Sequence, residues 1–243
     1  MRVDIVTIFP RMFEGVLGES ILKIAQEKSI LRAKITYLRD FTTDRHKSVD
    51  DRPYGGGPGM VMKVEPVVKA VRAIRQEEPE EPGRLLMMCP GGRKFDQAYA
   101  HELATSPRLI FIAGHYEGYD ERIVECLHPE KVSIGDYVLT GGELPALVVI
   151  DAVVRLLPGV LGDDESIKSE SFSPDNQGLL EYPQYTRPAE FEGLKVPEVL
   201  VSGNHARVAE WRREQARLKT EQHRPDLLQQ SPRPPERKDH YED

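Results

Sequence analysis

One segment of the chain reads Ser133-Ile134-Gly135-Asp136-Tyr137-Val138-Leu139-Thr140-Gly141-Gly142-Glu143-Leu144-Pro145 and joins a short apolar strand to an unusually apolar helix. Three glycines in it, Gly135, Gly141 and Gly142, lack a Cβ atom. We therefore expect positive φ angles there and backbone groups that face a small molecule directly. We interpret the segment as a ligand-binding turn.

Two earlier segments have the same design. Residues 85–89 form an apolar run that stops at Pro90-Gly91-Gly92, and residues 109–113 form another that stops at Gly114-His115-Tyr116-Glu117-Gly118. If the three strands are parallel, their loops share one edge of the sheet, which is where open α/β sheets bind ligands. Glycine is also common in purely structural turns, but three such loops together favour a binding site.

The sequence contains neither of the usual phosphate-binding loops. It has no Gly-x-Gly-x-x-Gly after a strand and no Gly-x-x-x-x-Gly-Lys-Ser/Thr. A site made of apolar side chains and bare backbone suits a nucleoside-like ligand better than a triphosphate.

The composition is that of a globular protein. The chain has 243 residues, 39% of them hydrophobic, which is enough for one large or two modest domains. No apolar run reaches the roughly 20 residues that span a bilayer. The N-terminal residues have the pattern of a strand and not that of a signal peptide. We therefore expect a cytoplasmic protein with no membrane contact. Cys89, Cys126 and the scattered histidines lack metal-ligand spacing, so we expect no disulfide, zinc or structural metal site.

The charge is unevenly distributed. A net charge of -7 argues against coating nucleic acid by bulk electrostatics. The segment 207–219 is nevertheless basic, because it holds Arg207, Arg212, Arg213, Arg217 and Lys219 against Glu210 and Glu214. Its single Trp211 shares helical spacing with Val208, Gln215 and Leu218, which favours packing over base stacking.

Strand and helix patterns alternate through the first two thirds of the chain. We expect strands at 3–9 and 31–38, a helix at 10–26, a long polar loop at 44–59, and a helix at 145–157 buried in the core or in a subunit interface. The pattern predicts an α/β domain with a mainly parallel sheet at 1–161, a flexible linker at 162–183, a small helical domain at 184–230 and a disordered tail at 231–243.

Several ordered motifs resemble a known family. They are Asp4-Ile5-Val6-Thr7-Ile8-Phe9-Pro10, Val49-Asp50-Asp51-Arg52-Pro53-Tyr54-Gly55-Gly56-Gly57-Pro58-Gly59-Met60, Gly114-His115-Tyr116-Glu117-Gly118-Tyr119-Asp120-Glu121-Arg122, the segment 133–145, Tyr185-Thr186-Arg187-Pro188 and Ser202-Gly203-Asn204-His205. In these motifs the chain resembles the bacterial tRNA (guanine-N1)-methyltransferases, the TrmD family of the knotted SPOUT class.

The resemblance implies a fold, a reaction and partners. The fold would be an α/β domain with a deep trefoil knot, an exception to the rule that chains do not thread themselves, plus the helical C-terminal domain. The methyl donor would be S-adenosylmethionine and the acceptor N1 of the guanine 3′ to the anticodon, position 37 of tRNA. The resemblance also implies a homodimer with active sites across its interface, and a dependence on Mg²⁺ for which the sequence shows no ligand set.

The resemblance assigns two groups of binding residues. The arginines Arg207, Arg212, Arg213 and Arg217 would contact tRNA phosphates. The methyl donor would be bound by Met87, Pro90, Gly91, Gly114, Tyr116, Glu117, Ile134, Gly135, Asp136, Tyr137, Val138, Leu139, Gly141, Gly142 and Pro145.

Two residues are assigned to catalysis by the same resemblance. Guanine N1 must lose a proton before it attacks, and Glu170 occupies the position of the family's base, where an aspartate is usual. Arg155 matches the arginine that would stabilise negative charge on guanine O6.

Alternatives to these roles remain open. Glu170 could be a solvated linker acid, with Asp163, Asp164 and Glu165 as substitute bases, and Arg155 could pair with Asp151 within its helix. At the level of the whole protein, the alternatives are a knotted ribose 2′-O-methyltransferase and a non-catalytic RNA-binding protein.

Overall fold

The computed structural model of the chain describes residues 1–162 and 169–230. The chain divides into two compact units, Met1–Gly162 and Asp163–Asp243. The substitute bases at 163, 164 and 165 and the tail at 231–243 lie outside the described residues.

The first unit contains a five-stranded sheet with the strand order β2-β1-β6-β5-β7, in which every neighbouring pair is parallel. The predicted α/β class with a mainly parallel sheet is therefore confirmed. The strands of this unit are β1 (Arg2–Thr7), β2 (Arg32–Tyr37), β3 (Asp50–Asp51), β4 (Val61–Met62), β5 (Arg84–Lys94), β6 (Arg108–Ile112) and β7 (Glu130–Ser133). The helices are α1 (Arg11–Leu17), α2 (Ser20–Glu27), α3 (Val64–Glu77), α4 (Gln97–Ala104), α5 (Arg122–Leu127) and α6 (Glu143–Val154).

Helices cover both faces of the sheet. Apolar side chains of α1, α2, α4 and α6 form one core cluster, and those of α3 and α5 form the other. The central strands β1 and β6 are buried along their whole length, which explains the apolar run that follows Arg108 in β6. The buried Asp4 in β1 is tolerated because Arg2 and Arg108 donate hydrogen bonds to it at 2.7 and 2.8 Å.

The helix predicted at 10–26 is two helices. It breaks after Leu17, where Gly18 caps α1 and Ser20 takes a left-handed conformation with φ of 51°. A left-handed residue cannot continue an α-helix, and apolar periodicity alone does not report it.

Strand β5 extends past the predicted loop at Pro90-Gly91-Gly92. Its pairing with β7 shifts register between Met88 and Arg93, so the proline and glycines form a bulge within the strand. A Cβ atom on Gly92 would lie 2.3 Å from the backbone of Lys131, which is why glycine is required there.

In the described part of the second unit, helices predominate, with one small hairpin. The elements are β8 (Glu190–Phe191), β9 (Leu194–Lys195), α7 (Glu198–Val201), α8 (His205–His223) and α9 (Pro225–Gln230). Part of the segment assigned to a linker packs here, because the backbone N–H of Leu180 donates to Thr220 Oγ1 at 3.0 Å.

The inner face of α8 differs from the prediction at one position. Leu218 was placed on that face but is 41% exposed, whereas Ala216 and Thr220 are buried. A step of three residues falls about 60° short of a full helical turn, which carries Leu218 past the edge of the buried face. In the described residues, no helix is both long enough and apolar enough to cross a membrane.

Candidate active site

The three glycine loops of the first unit enclose one cavity of about 380 Å³. Of the residues assigned to the methyl donor, all but Gly91 and Asp136 line it. Gly91 is exposed, and the Asp136 carboxylate lies 3.4 Å from Lys94 Nζ. The lining includes Met87, Pro90, Gly114, Tyr116, Glu117, Ile134, Gly135, Tyr137, Val138, Leu139, Gly141, Gly142 and Pro145.

The glycines of the third loop are needed for two different reasons. Gly135 has the expected positive φ, 151°. The expectation is wrong for Gly141 and Gly142, which are not among the residues with positive φ. A Cβ atom on Gly141 would lie 2.3 Å from Glu143 Oε2 and 2.4 Å from His115 Nδ1. Close approach of neighbouring groups, rather than backbone conformation, therefore explains glycine at 141.

Gly142 sits where three chain segments meet. Its N–H donates to the carbonyl of Gly114 at 2.6 Å. A Cβ atom on it would lie 2.9 Å from Gly114 N, 3.0 Å from Ala113 Cα and 3.1 Å from Met88 Cβ. The N-terminal end of α6 is thus tightly packed against Met88 of β5 and against the two residues that follow β6.

A buried carboxylate lies beside the cavity. Glu143, the first residue of α6, is 1% exposed and accepts a hydrogen bond from Thr7 Oγ1 at 2.9 Å. Its other oxygen is 3.6 Å from Nδ1 of His115, a residue that lines the cavity. The N-terminal position of Glu143 also places its charge at the positive end of the helix dipole. These contacts link β1, the second glycine loop and α6.

Tyr119 contacts the second glycine loop and the neighbouring strands through its hydroxyl group. Its hydroxyl accepts the Gly114 N–H at 2.7 Å and faces the carbonyls of Ile112 and Met88 at 3.1 and 3.2 Å. Burial raises the pKa of Tyr119 well above its usual value, so the phenol stays protonated and donates to these carbonyls. A side chain on Gly114 would collide with the Tyr119 ring, since a Cβ atom would lie 2.2 Å from its Cζ.

The long polar loop predicted at 44–59 contacts the second glycine loop. The Glu117 N–H donates to the Met60 carbonyl at 2.9 Å, and burial together with the Asp50 carboxylate raises the pKa of Tyr116. A Cβ atom on Gly59, whose φ is 74°, would lie 2.4 Å from the Glu117 side chain. The polar loop is therefore packed against one wall of the cavity.

The two residues assigned to catalysis belong to different units. Arg155 follows α6 in the first unit and is half-buried. Glu170, in the second unit, is also half-buried, and its backbone carbonyl accepts a hydrogen bond from the Ser173 N–H at 3.2 Å.

The four arginines assigned to tRNA are exposed on α8, but their charges are not equally available. Arg217 is paired with Glu214 at 2.9 Å and with Glu221 at 3.2 Å. The Arg212 guanidinium lies 4.7 Å from the centre of the Tyr182 ring instead. Arg207 and Arg213 form no ion pair with a described residue.

Comparison with known proteins identifies the family. Residues 1–230 match the family described as tRNA (Guanine-1)-methyltransferase TrmD. The chain belongs to the TrmD family. A relative from Dictyoglomus turgidum, named tRNA (guanine-N(1)-)-methyltransferase, is 55% identical over 231 residues, which cover 95% of this chain and 91% of the relative. Proteins of the same name from Bacillus licheniformis (54% over 232 residues; 96% and 94% coverage) and Carboxydothermus hydrogenoformans (57% over 228 residues; 94% and 87%) are similarly close.

Resemblance to the TrmD family had also implied magnesium dependence. Within 1–162 and 169–230, no cluster of three histidine, cysteine, aspartate or glutamate side chains is arranged to hold a metal ion. This finding concerns sites built from at least three protein ligands, whereas Mg²⁺ is usually bound by one or two carboxylates together with substrate phosphates.

Four residues that connect the elements around this cavity were assigned no role from the sequence. Thr7, His115, Tyr119 and Glu143 all lie inside matched motifs, but none was assigned a role. Glu143 carried a usable signal, because it is the only charged residue among the first eight of an otherwise apolar helix. Its partners come from distant parts of the chain, so their contact could not be read from spacing.

Proposed function

We propose that this chain is a tRNA (guanine-N1)-methyltransferase that transfers a methyl group from S-adenosylmethionine to N1 of guanine 37. The observation that carries the proposal is the match to the TrmD family over residues 1–230. The 1–161 region would bind the donor, the 184–230 region would bind tRNA, and 162–183 would connect them.

The cavity of the first unit supports the placement of the donor. Its volume of about 380 Å³ lies in the range of small-molecule sites. Backbone from 134–142 and the apolar residues Met87, Val138 and Leu139 suit an adenosine and a thioether-like chain, and the site lacks a phosphate-binding loop. The donor supplies an electrophilic methyl group on sulfur.

The work left to the protein is positioning and proton transfer. Rigid loops around the cavity would hold the donor in line with the acceptor, which lowers the entropic part of the barrier. The Glu170 carboxylate would accept the proton from guanine N1. Its extra methylene, relative to the usual aspartate, requires the backbone at 170 to lie slightly farther from the base. Arg155 would stabilise the negative charge that spreads to O6.

The packing of Gly142 supports the proposed trefoil knot. In a knotted sheet, the chain after β7 must pass between segments that follow two earlier strands. Gly142 packs against Met88 of β5 and against Ala113 directly after β6 with no space for a methyl group, and this close packing is what we expect if the chain threads there.

An apolar surface on the first unit supports the proposed homodimer. Met12 and Val16 of α1 and Leu144 and Val148 of α6 are between 40% and 52% exposed, and α1 packs against α6. Contiguous exposed apolar side chains mark interfaces, and a second copy of the chain would cover these. The active site of each subunit would then lie at this interface.

The nature of the product tests the proposed function. Full-length protein, S-adenosylmethionine and an unmodified tRNA transcript with guanine 37 should yield 1-methylguanosine, detected by nucleoside mass spectrometry after complete digestion. A transcript with adenine at position 37 is the control and should not be modified. A 2′-O-methylated nucleoside would indicate the ribose-modifying alternative, and the absence of transfer would indicate a non-catalytic RNA-binding protein.

A further inference from the structure

The second unit has a cavity of its own, at a distance along the chain from every residue assigned to the donor. It measures about 400 Å³ and lies between the segment 182–189, the helix α7 and the exposed start of α8. Leu200 and Val208 form part of an apolar floor. The polar lining consists of Tyr182, Gln184, Tyr185, Thr186, Arg187 and Arg212.

Flat groups surround this cavity. The guanidinium carbon of Arg212 lies over the Tyr182 ring, 4.7 Å from its centre, which is within the range of a cation–π contact. Tyr185 is 49% exposed, although one side of its ring contacts Trp211 at a centroid distance of 6.4 Å. The Tyr185 ring and the Arg212–Tyr182 pair are therefore two planar groups that line the cavity and are not buried in a core.

The charge of the cavity is positive. No aspartate or glutamate is part of its lining, and neither Arg187 nor Arg212 forms an ion pair with a residue in the described part of the chain. Arg217 lies on the same helix as Arg212 but differs from it, because Glu214 and Glu221 form ion pairs with Arg217. A ligand with an aromatic plane and an adjacent negative charge satisfies both features of the cavity.

We propose that this cavity binds one unstacked nucleotide of the RNA substrate. The base would lie against Tyr185 and the Arg212–Tyr182 pair, and a flanking phosphate would contact Arg187. Unpaired RNA is recognised by this combination of aromatic or guanidinium planes and cations, and a concavity of about 400 Å³ has room for a single base but not for a duplex. The assignment rests on the proposed function in one respect, namely that the ligand is tRNA.

Stacking is tested at Tyr185 in the full-length protein. Tyr185→Leu keeps an apolar contact with Trp211 but removes the plane, and we expect affinity for the tRNA transcript to fall about 5-fold to 100-fold. Tyr185→Phe keeps the plane and should bind within about twofold of the unmodified chain. Phe191→Leu is the matched control, because Phe191 is 63% exposed on the hairpin and does not line the cavity.

The phosphate contact is tested by salt dependence. Arg187→Gln should lower the slope of log affinity against log salt concentration by about 0.7 to 1, the value for one phosphate contact. Lys195→Gln removes an equally exposed positive charge of the same unit that is 3.7 Å from Glu190, and it should leave the slope unchanged. S-adenosylmethionine affinity and the thermal unfolding temperature, measured for each variant, report whether the fold is retained.

The outcomes separate this inference from the proposed function. If the unmodified chain forms 1-methylguanosine while Tyr185→Leu and Arg187→Gln bind tRNA normally, the nucleotide site is wrong and the activity stands. If both variants weaken RNA binding but no methylated guanosine forms, the site stands and the activity is wrong. If Tyr185→Leu instead dissociates a dimer in sedimentation experiments, the cavity holds a partner subunit and the inference is overturned.

Discussion

Gly142→Ala is the substitution that most directly probes how the donor cavity is built. The new methyl group would lie 2.9 Å from Gly114 N and 3.0 Å from Ala113 Cα. Both atoms belong to buried backbone directly after β6, so neither can rotate away as a side-chain end could. The segments must separate, and the 2.6 Å hydrogen bond from Gly142 to Gly114 is weakened at the same time.

The expected loss of stability follows from these two effects. Overpacking in a well-packed core costs about 1–3 kcal/mol, and a weakened hydrogen bond adds about 1 kcal/mol. The sum, about 2–4 kcal/mol, corresponds to a fall in unfolding temperature of about 4 to 16 °C in a chain of this size. Because the separated segments line the cavity, S-adenosylmethionine affinity should fall as well.

Thermal unfolding and isothermal calorimetry measure both quantities. Gly91→Ala is the control, because the nearest atom to its new methyl group would be Cys89 Sγ at 3.9 Å. The control should stay within about 2 °C of the unmodified chain. If Gly142→Ala unfolds at the same temperature as the control and binds the donor equally well, the tight packing described around Gly142 does not constrain the site.

Three further predictions concern single side chains. Glu170→Gln should slow single-turnover methylation about 100-fold to 10,000-fold without weakening tRNA binding, and near-normal turnover would remove Glu170 as the base. Thr7→Val leaves the buried Glu143 without its 2.9 Å donor and should cost about 1–3 kcal/mol of stability in urea unfolding; a neutral result would show that another donor replaces it. The Arg84 guanidinium holds the pKa of Glu130 below its usual 4.5, so this pair stabilises the folded state above that pH and loses its effect as pH falls below it. The unfolding temperatures of Glu130→Gln and the unmodified chain should therefore differ most at about pH 7 and converge towards about pH 3, and a constant difference would contradict the assignment.

The parallel sheet could be predicted because its signals are local. Strands β5 and β6 each contain a short apolar run that is followed by glycine within a few residues, and buried parallel strands have such apolar runs. The shared edge then follows from the parallel arrangement alone. Most of the cavity lining was reached in this way, with the family resemblance supplying the individual residues.

The missed features depend on contacts between distant segments. The role of Gly141 was predicted from backbone freedom, but the decisive neighbours are His115 and Glu143, which the sequence does not place beside it. The left-handed Ser20 that divides the first helix and the bulge in β5 are likewise set by tertiary packing. Apolar periodicity reports which side of an element is buried, and it does not report such local departures.

The wedged position of Gly142 also has a consequence for synthesis of the chain on the ribosome. Met88 of β5 and the segment that follows β6 are synthesised first, and the glycine that packs against both is synthesised later, directly before α6. A nascent chain that ends at β7 contains the first two glycine loops of the cavity but lacks the third. If S-adenosylmethionine binds this cavity as proposed, it has no complete binding site during the first half of translation, and it stabilises only chains that already contain the third loop.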